Sequence, residues 1–119
     1  MKTIYNIDIS DKMVTRKLGN YVNQFYKILP IKESGETTLN NYMKSLMREM
    51  LGCKKLICAL NDDPQYLTLL AILQHHIDED CDVATVKSDV FKAINIIKSM
   101  QKRYAEQNGG DADGRVGKV

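Results

Sequence analysis

At 119 residues, with 44% apolar and 27% charged side chains, the chain is long enough for one domain with its own core and too apolar for disorder through its body. A net charge of +2 lacks the clear basic excess normal for a nucleic-acid-binding domain, and no apolar run reaches membrane-spanning length, so no membrane partner is expected. Three cysteines, Cys53, Cys58 and Cys81, fall in no metal-type or redox-type spacing; they read as reduced thiols and point to a cytoplasmic protein.

Residues 3–9 alternate weakly, with Tyr5, Ile7 and Ile9 on one side. No second strand is available to pair with them, so they are expected to form an extended arm laid over the helices rather than a strand shared with another copy. Ser10 is a plausible N-cap for a first helix over about 11–29. In that helix Met13, Val14, Leu18, Tyr21, Val22, Phe25, Tyr26 and Leu29 recur at three- and four-residue steps. Gly19 is a soft spot within it, and Pro30 is expected to close it, because the residue before a proline avoids the helical region. Lys12, Arg16, Asn20, Asn23 and Lys27 form the opposite, polar stripe, with no acid after Asp11.

Residues 32–36 read as a turn, after which Thr37 or Thr38 caps a second helix. Leu39, Tyr42, Met43, Leu46, Met47, Met50 and Leu51 hold helical phase, and the pattern continues through Cys53, Leu56, Ile57 and Leu60. Gly52 is a place where the helix could bend, but the apolar phase is kept across it, so one long helix is expected, with Lys44, Arg48 and Lys55 outside.

Asp63 and Pro64 then signal a helix start: a good N-cap followed by a proline whose missing N–H costs nothing there. From Tyr66 to Leu73 this third helix is apolar nearly all round, and the expectation is that it sits at the centre, enclosed by the others. A last helix, capped by Asp82 or Thr85, carries Val83, Val86, Val90, Ala93, Ile94, Ile97, Met100 and Tyr104 in phase and should reach about Glu106. Its outer side is cationic, with Lys87, Lys92, Lys98, Lys102 and Arg103. Four glycines between Asn108 and Val119 make 107–119 a flexible tail by composition. The fold expected is therefore all-α: a mostly antiparallel four-helix bundle over residues 1–106, with a short N-terminal arm and a C-terminal tail.

Charge is distributed unevenly. Residues 1–60 carry ten Lys/Arg against five Asp/Glu, whereas between Lys55 and Lys87 there are six acids and no cation, so the folded molecule should be a charge dipole.

The densest chemistry is His75-His76-Ile77-Asp78-Glu79-Asp80-Cys81-Asp82. Adjacent helical residues point about 100° apart and no His-x-x-x-His or Cys-x-x-Cys spacing occurs, so the histidines read as a helix end, the acids as a solvated loop and Asp82 as a cap. No nucleophile elbow and no phosphate-binding glycine loop is present, and neither a catalytic residue, a cofactor nor a metal is expected.

What these readings leave is a non-enzymatic interaction or adaptor protein that presents a helix surface to a protein partner or to a second copy of itself. Met43, Met47, Met50, Lys98, Lys102 and Arg103 are the expected contacts. The alternative is a nucleic-acid-binding accessory or regulatory protein, of the kind a phage or mobile element would carry, gripping phosphates with Lys12, Arg16, Lys27, Lys44 and Arg48.

Overall fold

A computed structural model describes residues 2–5, 7, 9–35 and 37–112, the last six of these as backbone only. Four long helices, α1 (Asp11–Ser34), α2 (Leu39–Leu56), α4 (Pro64–Asp78) and α5 (Val83–Ala112), are joined by short connections, one of which holds the single-turn α3 (Cys58–Asn61). Packing runs round a closed ring: α1 touches α2 and α5, and α4 touches α2 and α5. Cross-helix contacts fix the directions. Lys17–Glu49 and Tyr42–Gln24 order α1 against α2, and Gln101–Thr15 and Tyr26–Phe91 do so for α1 and α5. Asn40–Ile77 and Tyr66–Met50 run α2 against α4, and Gln65–Ser99 and His76–Asp89 run α4 against α5. In every pair one number rises as the other falls, so the bundle is antiparallel throughout, as the sequence predicts.

The predicted stripes form the core: Leu18, Tyr21 and Phe25 from α1, Met43 and Met50 from α2, Leu69 and Leu73 from α4, and Ile94, Ile97 and Met100 from α5. Side chains cap the starts of three helices as their sequence suggests. Ser10 Oγ accepts from Met13 N–H at 3.0 Å, Asp63 Oδ1 from Gln65 N–H at 2.9 Å, and Asp82 Oδ1 from Thr85 N–H at 2.9 Å.

Five expectations need correction. The first helix does not stop before Pro30 but runs through it to Ser34; it ends where Gly35 takes a left-handed conformation (φ 73°) and donates to the Lys32 carbonyl. An interior proline costs about 3 kcal/mol. The last turn is nonetheless held by buried Ile28, by Leu29 against the core, and by Lys32 Nζ 2.7 Å from Asp80.

The second helix is not one long helix through Leu60: it breaks at Ile57, whose backbone is extended. The break belongs to the N-terminal arm: Thr3 and Ile57 form an antiparallel bridge, with Ile4 N–H donating to Leu56 O (2.8 Å) and Cys58 N–H to Lys2 O (3.1 Å). The arm therefore does lie over the helices, but its anchor is Thr3, which is buried, and not the Tyr5–Ile7–Ile9 face. Tyr5 is 71% exposed, and only Ile9 of those three packs against the core.

Nor is α4 enclosed. It buries Tyr66, Leu69, Leu70 and Leu73 but leaves Leu67 44% exposed and Thr68 and Ala71 on the outside, because each helix of a four-membered ring keeps one face to water. The most extensive packing is between α1 and α5. Finally, α5 continues beyond Glu106 to Ala112, which takes in the first six residues of the expected tail; 113–119 lie outside the described residues.

The ends of α4 and α5 are locked by one polar cluster. Asp63 is buried, and its Oδ2 accepts from the Tyr104 hydroxyl and from Arg103 Nη2 (2.8 Å), which also bonds Gln65 Oε1 (2.7 Å). Burial pushes the Asp63 carboxyl upward. The hydrogen bonds from Tyr104, Arg103 and the Gln65 amide together outweigh that and hold it below the usual carboxylate range. Burial and the same carboxylate push the Tyr104 phenol up to about 12. Because the folded-state value of Asp63 is depressed, the stability it contributes is complete above the unfolded-chain value near 4 and is lost as pH falls through the lower folded value. Asp63→Asn is expected to cost about 1–3 kcal/mol at pH 7 in urea unfolding, with the gap to the native protein closing below about pH 4. A gap of constant size from pH 7 to pH 2 would remove the charged bond as its origin.

Candidate functional site

The packing of α1 on α5 creates a surface that neither helix has alone. On α1, Lys12, Arg16, Asn20, Asn23 and Lys27 are all exposed, at spacings of 4, 4, 3 and 4; on α5, Lys87, Phe91, Asn95, Lys98 and Lys102 are all exposed at the same spacings. That rhythm keeps each set on one helical face. The Gln101–Thr15 and Tyr26–Phe91 contacts set the two adjacent helices, and with them the two rows of about 22 Å, in antiparallel register. Neither helix carries an acid within its row apart from Asp89, whose carboxylate turns away to His76 on α4.

Gly19 faces α5 across this seam. A Cβ there would meet Gln101 Nε2 at 3.1 Å, and this is the carboxamide that donates to Thr15 O. The glycine predicted as a weak point is thus a seat for the partner helix.

Ion pairing separates the cations into two groups. Lys17 pairs with Glu49 (3.2 Å), Lys32 with Asp80 and Arg103 with Asp63. Lys12, Arg16, Lys27, Lys87, Lys98 and Lys102 take part in no ion pair among the described residues, so their charge is offered to solvent.

Of the expected protein contacts, Met43, Met47 and Met50 are core residues and present no surface, while Arg103 is held by Asp63 and Gln65. Lys98 and Lys102 remain free and join Lys12, Arg16 and Lys27, which the sequence assigns to a different role. Lys44 and Arg48 stand apart on the outside of α2, where Arg48 Nη2 reaches Ser45 Oγ at 3.3 Å. Phe91 is the residue that sequence periodicity passes over. It is out of step with the apolar stripe of α5, and its four-residue spacing from Lys87 and Asn95 is the signal that places it on the outer face.

At the far end of the bundle a cleft of ≈520 Å³ opens between the end of α1, the start of α2 and the α4–α5 connection, with Ile28, Lys32, Asn40, Met43, His76 and Cys81 among its walls. His76 Nε2 lies 2.7 Å from Asp89 Oδ2, while its Nδ1 is buried without a partner; Cys81 Sγ lies 3.6 Å from Nε2 of the neighbouring His75. The thiol and the orienting carboxylate thus belong to different rings, whereas a nucleophile–base–acid relay needs them on one. Among the described residues no three His, Cys, Asp or Glu side chains converge as metal ligands, and the three cysteines are free. No described helix is long and apolar enough to cross a membrane.

No family model, curated protein or solved structure matches this chain.

Proposed function

We propose that this is a non-enzymatic helical interaction protein that acts through its α1–α5 face, and that the partner is the phosphate backbone of a nucleic acid. One observation carries the reading: exposed rows on two adjacent antiparallel helices hold three amides and six cations, none of which forms an ion pair among the described residues. Lysine and arginine neutralise phosphates and release counterions, and asparagines supply neutral donors along the same track. A net charge of +2 understates this face, because six of the acids lie at the two ends of α4 and in the α4–α5 connection, from Asp62 to Asp82.

Binding of a labelled 20-nucleotide strand, followed by fluorescence anisotropy over a salt series, tests the proposal. If most of the six cations engage, log Kobs falls against log[salt] with a slope of about −3 to −4 for a single strand. The double charge reversal Lys98→Glu/Lys102→Glu should weaken binding by at least about tenfold, while Lys44→Glu/Arg48→Glu on the other side of the bundle changes it by less than about threefold. Equal losses from both pairs, or no salt-dependent binding by the native chain, would count against this face.

A second reading, self-association, is favoured by the outer side of α4, which carries no charged residue from Pro64 to Ile77 and exposes Leu67, Thr68 and Ala71. In a two-fold dimer each residue approaches the vicinity of its own copy, so an uncharged face is the one on which like charges do not oppose pairing. A helix of 15 residues gives a contact at the small end of specific interfaces. Light scattering is therefore expected to show dimers at tens to hundreds of micromolar (an affinity of about 6 kcal/mol) and monomers for Leu67→Glu at the same concentrations. A native chain that stays monomeric at millimolar concentration would end this second reading.

A further inference from the structure

We infer that the α1–α5 face takes single-stranded rather than duplex nucleic acid, and that Tyr26 and Phe91 are its base-stacking pair. This rests on the reading of that face as a nucleic-acid surface and adds to it the class of nucleic acid and the residues that meet the bases.

Tyr26 and Phe91 face each other across the α1–α5 seam with ring centroids 6.1 Å apart and planes at 80°, and they remain 42% and 40% exposed. In this edge-to-face arrangement the rim of one ring lies against the face of the other, and aromatic surface is left open to solvent. The two rings do not stand alone. Lys27 follows Tyr26 in α1, with Asn23 one turn away on the same helix, and Phe91 sits between Lys87 and Asn95 in the exposed row of α5. Cation, aromatic, amide and cation in succession is the set of groups that grips a single strand: the charges hold the backbone while the rings accept the flat faces of unpaired bases.

Shape argues for the same partner. The surface is two helices wide, and packed helices have axes about 8–10 Å apart with a further ~10 Å of side chains across the pair. A major groove about 12 Å wide admits one helix and not two abreast. A duplex could meet this face only through its phosphates, with its bases stacked out of reach of both rings. A single strand can turn its bases onto them. A pair that only sealed the seam between α1 and α5 would be served equally well by an aliphatic side chain, and this is the distinction to test.

The experiment compares three probes on the full chain at low salt by fluorescence anisotropy: a 12-nucleotide oligothymidine, a 12-residue abasic strand with the same phosphates and no bases, and a 12-base-pair duplex. The native protein should bind oligothymidine at least about fivefold more tightly than the abasic strand, since stacking of one base is worth that much or more. Phe91→Leu, which keeps apolar cover over the seam, should abolish that preference while leaving abasic affinity and the salt slope unchanged; Tyr26→Leu should reduce it. Should Phe91→Leu fail to fold by circular dichroism, the native protein still decides. Ring proton resonances of Phe91 and Tyr26 should move upfield with oligothymidine and stay in place with the abasic strand.

Equal affinity for oligothymidine and the abasic strand would overturn the stacking inference and leave the phosphate reading standing, as would a duplex bound more tightly than the single strand. Failure to bind any of the three probes, or heparin, would overturn both.

Discussion

The antiparallel contact between α1 and α5 is the constraint on which the rest of this molecule depends. Val14, Leu18, Tyr21, Phe25 and Ile28 from α1 and Val86, Val90, Ala93, Ile94, Ile97, Met100 and Tyr104 from α5 are buried in the core that this pair shares with α2 and α4. The same contact sets two cationic helices against each other, and magnitudes show why that is tolerated. Burying a large apolar side chain is worth about 1.5–3 kcal/mol. Two exposed unit charges about 10 Å apart in water repel by about 0.4 kcal/mol before salt reduces it further. Packing therefore decides the arrangement, and the lysines are left as a face of uncompensated charge. A polyanion that binds there removes the residual repulsion, so such a ligand would stabilise the same contact that creates its site.

The distribution of acids completes this picture. Asp63, Asp80 and Asp89 are each engaged in a specific bond, to Arg103 and Tyr104, to Lys32, and to His76 respectively. Each links parts of the chain distant in sequence: Asp63 ties the start of α4 to the far part of α5, Asp80 ties the α4–α5 connection to the end of α1, and Asp89 ties α5 to α4. These three carboxylates help hold the ring closed. Apart from Lys17, which meets Glu49, the cations along α1 from Lys12 to Lys27 and along α5 from Lys87 to Lys102 form no ion pair among the described residues. Asp63 and Asp80 thus act beside helix ends, whereas Glu49 and Asp89 act from within helices.

How much of this could be read from the sequence depends on how local the cause was. Ser10, Asp63 and Asp82 cap their helices through bonds that span two or three residues, and the apolar stripes of all four helices follow from spacing alone; both were legible. Pro30 and Ile57 were not, because each is decided by partners far away. The proline is carried inside α1 by the packing of Ile28 and Leu29 and the Lys32–Asp80 pair. Ile57 leaves the helix because the arm offers its backbone a bridge to Thr3. The methionines of α2 were visible as an apolar phase, but whether such a face meets the chain itself or a partner is a question of tertiary closure. The ring answers it by burying Met43, Met47 and Met50. For the candidate site, the polar stripe of α1 and the cationic side of α5 could each be seen; that the two helices would pack together, with Tyr26 against Phe91 at their seam, could not.

The α4 helix carries the last step. Its apolar run was read as a demand for enclosure on all sides, and the ring satisfies that demand only for Tyr66, Leu69, Leu70 and Leu73. Leu67, Thr68 and Ala71 remain outside with no charge nearby on their own helix, an arrangement costly in surface energy but free of electrostatic objection to a second copy. Position in the ring then matters. α4 is a neighbour of α2 and α5 and lies diagonally across from α1, so a contact made through its outer side leaves the α1 row uncovered. If both proposals hold, pairing through α4 would leave at least the α1 row open for binding, although α4 and α5 are neighbours. A pair formed that way would carry two cationic faces on a single body, and a long strand held by one face would meet the second at the high effective concentration of an intramolecular event, with gain in avidity and no new contact.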